Sequence, residues 1–212
     1  AERGGTARLL AGGGDDDAGA IARRGLEERG VERVGPAGGR NGVVVSLVDP
    51  DGDRSMASDR GVAPSLEPGE IDPAWLAGVD VLHVSGYSLL RAPIDAAALR
   101  AIAHARDSGA RVSVDLSSWS AIRDFGPDAF RERLAAIAPD VVFANEDEQE
   151  ILGGPLPGAS WILKLGARGC RFDGDELPAR PATPVDSTGA GDALAAGYLL
   201  GGPRLALDAA AR

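Results

Sequence analysis

The chain has 212 residues, of which 44% are hydrophobic and 25% charged, so it can bury a core and is not globally disordered. Its 22 basic and 32 acidic residues give a formal net charge of −10, which argues against nucleic-acid and anionic-membrane partners. The single cysteine, Cys170, excludes an intrachain disulfide and a cysteine-based zinc site. The lone cysteine fits a reducing compartment, and no apolar run approaches the roughly 20 residues of a membrane span, so a cytoplasmic protein is expected.

Strand-like and helix-like segments alternate along the chain. The predicted strands are Ala7–Leu10, Val43–Val48, Arg54–Ser58, Val79–Val84, Val112–Leu116, Val141–Ala144 and Trp161–Leu165. The predicted helices are Ala18–Arg29, Ile94–Asp107, Pro127–Ile137 and Gly189–Leu200, the last stopped by Gly201-Gly202-Pro203. This alternation predicts βαβ units around a buried parallel sheet. The hairpin around the turn Asp49-Pro50-Asp51-Gly52 has no helix between its strands, so it does not fit this alternation and is expected to form a small β lid.

Polar and glycine residues lie at the carboxyl ends of several predicted strands, namely Ser85-Gly86, Asp115, Asn145-Glu146 and Gly166. In parallel α/β sheets, ligands bind at the carboxyl ends of the strands. The sequence therefore predicts a site at this edge of the sheet.

The most informative segment is Asp186-Ser187-Thr188-Gly189-Ala190-Gly191-Asp192, which precedes an apolar helix. Glycines at a helix start expose backbone N–H groups at the positive end of the helix dipole, which favours an anion. A carboxylate at Asp192 would repel a phosphate, so its place there suits a base that takes a proton from a hydroxyl. The alternative is purely structural: Asp186 or Ser187 caps the helix and Asp192 complements its dipole.

A second polar segment, Asn145-Glu146-Asp147-Glu148, follows a strand end. Its amide and carboxylate oxygens suit Mg²⁺ held through waters. The alternative is an Asn–acid helix cap with a solvated acidic first turn.

The segment 186–192 resembles the D-[TS]-x-G-A-G-D signature of the ribokinase-like (PfkB) carbohydrate and nucleoside kinases. The resemblance implies that Asp192 is the catalytic base and that the Gly189, Ala190 and Gly191 backbone forms an anion hole around the γ-phosphate. Asn145–Glu148 is similar to the family's N-x-x-E motif, which implies that Asn145 and Glu148 lie near the Mg²⁺–phosphate.

The segment Lys164–Gly169 resembles the family's [TK]-x-G-x-x-G stretch, which implies that Lys164, Gly166 and Gly169 line the nucleotide. The alternative is an ordinary β-turn with a solvent-facing lysine. Gly14-Asp15-Asp16 with Gly19 is similar to a G-D-D-x-x-G element. Asp16 would then bind sugar hydroxyls, or instead form a turn and helix cap.

Gly86 and Asp115 are also implied as acceptor contacts. Asp115 begins a segment similar to the family's D-x-N-x-R. Here Ser117 stands in place of Asn and Trp119 in place of Arg, so phosphosugar or sugar-acid contacts are not carried over.

Together these motifs imply a ribokinase-like α/β three-layer sandwich with a mainly parallel central sheet. They imply one domain over residues 1–212 with a lid hairpin at about 40–60. The implied reaction is phosphorylation of a sugar or nucleoside hydroxyl by ATP with Mg²⁺, and the resemblance allows a monovalent cation and a homodimer formed through the lid. The alternative function is a sugar- or nucleotide-binding sensor without turnover. Since the family typically runs to roughly 300 residues, the chain is expected to be the middle of a longer protein, truncated at both ends.

Overall fold

The computed structural model describes residues 4–48, 54–182 and 188–211. The chain divides into two compact units, one of Ala1–Trp75 and Arg91–Ala101 and the other of Leu76–Leu90 and Ile102–Arg212. The prediction of a single domain over residues 1–212 stays a prediction. Two predicted features, the turn at 49–52 and the Asp186-Ser187 part of the signature, lie outside the described residues.

The elements follow one another in a largely alternating order. The strands are β1 Ala7–Leu10, β2 Val31–Val34, β3 Val43–Val48, β4 Arg54–Asp59, β5 Val81–Ser85, β6 Arg111–Asp115, β7 Val141–Asn145, β8 Ser160–Lys164, β9 Cys170–Phe172 and β10 Asp175–Leu177. The helices are α1 Asp17–Glu28, α2 Ile94–Asp107, α3 Trp119–Phe125, α4 Pro127–Ile137, α5 Glu146–Ile151 and α6 Ala190–Ala210.

In the first unit, β1 pairs with β2 in parallel through the α1 crossover. Strands β3 and β4 form a separate antiparallel hairpin, which is the segment predicted as the lid. Its apolar side chains are 48–60% exposed at Val43, Val44, Val45, Leu47 and Met56. The predicted pairing of two lids in a homodimer stays a prediction.

In the second unit, six strands form one sheet in the order β10-β9-β8-β7-β6-β5. Strands β5 to β8 run parallel, whereas β9 and β10 are antiparallel additions at one edge. The central strands β6 and β7 carry runs of apolar residues such as Val112, Val114 and Val142, which are fully buried. Such runs are typical of parallel strands that are covered on both faces.

Helix α6 packs on this sheet through Leu194, Ala195, Ala206 and Leu207. Its backbone leaves helical geometry at Gly201 and Gly202, where the predicted stop lies. After this break the chain returns closely enough that a Cβ at Gly197 would lie 2.5 Å from the Leu205 carbonyl oxygen. The break therefore splits α6 into two packed halves, as the glycine pair and Pro203 predict.

The sequence prediction omits the short strands β2, β9 and β10 and the short α-helices α3 and α5. Every predicted strand and helix is present. The ends differ by at most two residues, except that α6 extends to Ala210 across its break, beyond the predicted end at Leu200. Among the described residues, none of the helices combines the length and apolar character that crossing a membrane requires.

Candidate active site

Four strands of the main sheet end at one pocket. Ser85, Asp115, Asn145 and Lys164 are the last residues of β5, β6, β7 and β8, and the register pairs Ser85 with Asp115 and Asn145 with Lys164. The pocket has a volume of about 340 Å³, within the usual range of small-ligand sites. Its other lining residues are Tyr87, Ser117, Glu148, Gly189, Gly191 and Asp192.

The N-terminus of α6 opens on this pocket. Gly189 is the N-cap residue of the helix. Its φ is +81°, a conformation that favours glycine, and no side chain of the described residues caps the first N–H groups. The first described helical bond runs from the Ala193 N–H to the Gly189 carbonyl, so the N–H groups of residues 190–192 precede the helical ladder. Asp192, in this first turn, is exposed. An anion-favouring backbone and a carboxylate thus share one pocket wall.

A mostly buried ion pair lines the pocket. Lys164 Nζ donates to Asp115 Oδ2 at 2.7 Å, and the two side chains are 19% and 10% exposed. The other oxygen of Asp115 accepts the Ser117 N–H at 2.9 Å. The alternative prediction of a solvent-facing lysine is therefore wrong, because the ammonium is paired and mostly buried.

Asn145 and Glu148 form a reciprocal cap at the start of α5. The Glu148 N–H donates to Asn145 Oδ1 and the Asn145 N–H donates to Glu148 Oε2, each at 2.8 Å. Glu148 is only 2% exposed. This burial raises the pKa of its carboxyl, while the nearby Lys164 charge opposes the shift. The cap alternative is confirmed in its geometry, but a solvated first turn is wrong for Glu148.

Gly86 and Ser117 join the ends of β5 and β6. The Gly86 N–H donates to Ser117 Oγ at 3.2 Å, and Ser117 Oγ donates to the Asp115 carbonyl at 3.0 Å. A Cβ at Gly86 would lie 2.3 Å from the Leu116 carbonyl oxygen. The glycine is thus required by close backbone packing beside the pocket.

Five predicted site residues are not among those that line the pocket: Gly86 and Ala190, which adjoin lining residues in the chain, and Gly166, Gly169 and Asp16. Gly166 and Gly169 belong to the tight turn between antiparallel β8 and β9, and a Cβ at Gly169 would meet the Leu177 carbonyl at 2.1 Å. Asp16 belongs to the first unit. Its carboxylate caps α1 through the Gly19 N–H at 2.9 Å and also accepts the Asn41 N–H at 3.1 Å. These two bonds lower the pKa of Asp16.

Tyr87 and Ser117 line the pocket, although the sequence prediction did not assign them. The available signal was position, because each follows a strand end by two residues. Cys170 is fully buried, and burial raises its pKa to about 12, so the thiol is unsuited to nucleophilic chemistry.

Comparisons of the chain with known proteins show the family to which it belongs. A profile described as "pfkB family carbohydrate kinase" matches residues 1–204. The chain is 34% identical over 208 residues to an ATP-dependent ribose-1-phosphate kinase of Halopiger xanaduensis, covering 91% of this chain and 66% of that protein. The chain thus spans slightly less than two thirds of that relative.

Solved structures share the fold. Adenosine kinase from Sinorhizobium meliloti has a TM-score of 0.88 at 24% identity, covering 98% of this chain and 72% of that one. An uncharacterized sugar kinase from Pyrococcus horikoshii in complex with ATP has a TM-score of 0.82 at 21% identity, covering 98% and 76%.

The chain belongs to the PfkB family of carbohydrate kinases. The predicted family and its ribokinase-like α/β fold are thereby confirmed.

Proposed function

We propose that the protein transfers the γ-phosphoryl group of ATP to a hydroxyl of a sugar or nucleoside. The observation that carries this proposal is the shared pocket of Asp192, the N-terminus of α6 and the buried Glu148. The first N–H groups of a helix stabilise negative charge without reorganising, which is what phosphoryl transfer demands.

Asp192 is the proposed general base. Its carboxylate takes the proton of the acceptor hydroxyl while the hydroxyl oxygen forms a bond to the γ-phosphorus. The bond from that phosphorus to the β,γ-bridging oxygen breaks, and ADP leaves. The Gly189, Ala190 and Gly191 N–H groups bind the phosphoryl oxygens and stabilise the negative charge on them during the transfer. The exposure of Asp192 suits this role, because the acceptor must reach the carboxylate.

Asn145 and Glu148 are the proposed side chains nearest the magnesium ion. Their oxygen atoms fit this hard cation, and a carboxylate that burial makes costly to ionise gains from a cation beside it. The described residues contain no cluster of three or more His, Cys, Asp or Glu side chains placed to hold a metal. Most ligands would therefore be waters and phosphate oxygens, as is usual for Mg²⁺, which neutralises charge on the phosphates.

The remaining assignments come from the resemblance. Lys164, Gly166 and Gly169 are proposed on the nucleotide side, and Asp16, Gly86 and Asp115 on the acceptor side. The ATP complex of the Pyrococcus horikoshii structure supports ATP as the donor. A cytoplasmic location and use of a monovalent cation remain parts of the proposal.

The test is Asp192→Asn, which keeps the shape of the side chain and removes the base. ADP release would be measured with Mg·ATP and ribose 1-phosphate, D-ribose or adenosine. We expect kcat to fall by about 10²–10⁴-fold, the usual contribution of a general base. A fall of less than about tenfold would show that Asp192 is not the base.

Asp208→Asn is a matched control, because it makes the same change on the same helix at a surface ion pair with Arg180. It should leave kcat unchanged. Ligand binding without ADP release by the parent protein would identify a sensor rather than a kinase.

A further inference from the structure

The Lys164–Asp115 ion pair joins a proposed nucleotide residue to a proposed acceptor residue. The two are 49 positions apart in sequence, at the ends of β8 and β6, yet Nζ and Oδ2 are 2.7 Å apart. A Cβ at Gly191 would lie 3.7 Å from Nζ. The ammonium therefore lies between Asp115 and the first turn of α6.

Lys164 is the only lysine in the chain, and the other 21 of the 22 basic residues are arginines. Every other ion pair in the described residues uses arginine. Lysine differs from arginine in carrying a compact charge on a flexible stem, which can turn between partners without the planar fork of a guanidinium. Lys164 is also the one basic residue among those that line the described pocket.

We propose that this ion pair is an exchangeable contact that couples the binding of the two substrates, an inference that rests on the proposed function. When both are bound, Lys164 turns from Asp115 to a nucleotide phosphate, and Asp115 accepts a hydrogen bond from an acceptor hydroxyl.

Burial is the reason for coupling rather than independent binding. Asp115 is 7% exposed as a whole residue, and a buried charge deprived of its partner is strongly unfavourable. A nucleotide that draws Lys164 away by itself leaves Asp115 unpaired, and an acceptor that displaces Lys164 by itself leaves the ammonium unpaired. Only the two ligands together satisfy both charges, so each should bind more tightly in the presence of the other.

The first test uses the single ε-amine as a reporter. Trinitrobenzenesulfonate would label Lys164, and peptide mass analysis would separate this product from the labelled N-terminus. Saturating Mg²⁺ with the non-hydrolysable analogue AMP-PNP and one of ribose 1-phosphate, D-ribose or adenosine should slow labelling at least tenfold, whereas Asp115→Asn without ligands should speed it. A rate unchanged within twofold with each of the three acceptors would overturn the proposal.

The second test measures coupling directly. The Kd of Mg·AMP-PNP would be determined by calorimetry with and without ribose 1-phosphate, D-ribose or adenosine. The parent should show at least fivefold tightening with one of them, within the usual range of about 5–150-fold for coupled sites. The ratio of the Kd without acceptor to the Kd with acceptor should fall to near one in Lys164→Met and in Asp115→Asn.

Arg168→Met is the matched control, because it removes an exposed ion pair, with Glu146, from the neighbouring turn. It should keep the parent ratio. A parent ratio near one with all three acceptors, or a ratio kept in Lys164→Met, would overturn the coupling. ADP release by the parent in either case would leave the proposed kinase activity standing, whereas its absence with all three acceptors would count against that activity.

Discussion

Replacement of Gly86 by alanine tests whether the ends of β5 and β6 are held together by close backbone packing. The added Cβ would lie 2.3 Å from the Leu116 carbonyl oxygen and 2.9 Å from that of Asp115. Ordinary contacts begin at 3.4 Å, so one strand end must move by about 1.1 Å. The obstructing atoms are backbone oxygens and cannot turn aside as a side-chain end does.

The expected cost lies near the upper end of the usual range for overpacking, about 3 kcal/mol. In a chain of this length, about 3 kcal/mol corresponds to a fall in Tm of roughly 6–12 °C. Thermal and urea unfolding would measure the loss. The neighbours Ser85 and Tyr87 line the pocket, so we also expect a higher KM for the acceptor.

Gly69→Ala is the matched control, because its Cβ would enter open space and its φ is not positive. It should be neutral, or stabilising by about 0.4–1 kcal/mol through the unfolded chain. If Gly86→Ala unfolded within about 0.5 kcal/mol of the parent, the packing explanation for Gly86 would be refuted.

Two further substitutions test the buried carboxylate and a helix end. Because burial raises the pKa of Glu148, its contribution to stability is fully present below its unfolded pKa and is lost as pH rises through the folded pKa. Glu148→Gln keeps the reciprocal cap and has no carboxyl to ionise, so urea unfolding should show its stability relative to the parent rising from pH 4 to pH 8, and a pH-independent difference would contradict this. Ala138 ends α4 with φ +48° and an exposed side chain, so Ala138→Gly should raise stability by about 1 kcal/mol in the same assay, and a loss would show that its conformation is not strained.

The sequence predicted elements best where its signals were local. Helix α4 has the predicted bounds because Pro127 occupies its first turn and apolar residues recur to Ile137. Helix α5 has six residues, too few to show a helical period, and β9 and β10 have three residues each. Strands β9 and β10 form because a neighbouring strand is available for pairing, which local patterns do not show.

In the candidate site too, the sequence predicts some features from local signals and misses those that depend on tertiary packing. Residues at strand ends could be predicted because parallel strands place their carboxyl ends together. The Lys164–Asp115 pair depends on the register across β6, β7 and β8. Among Glu146, Asp147 and Glu148, only Glu148 is buried, and the acidic run alone gives no reason to choose it.

The strand order of the main sheet has a consequence for biosynthesis. Each strand pairs with the one immediately before it in the chain: Val81 with Arg111, Ser113 with Val141, and Val141 with Ser160. Because each strand's partner has already been synthesised, the sheet can grow strand by strand during translation. The pocket would gain Ser85, Asp115, Asn145 and Lys164 in that order. Asp192 would join after the sheet is paired, so a nascent chain acquires its anion site last.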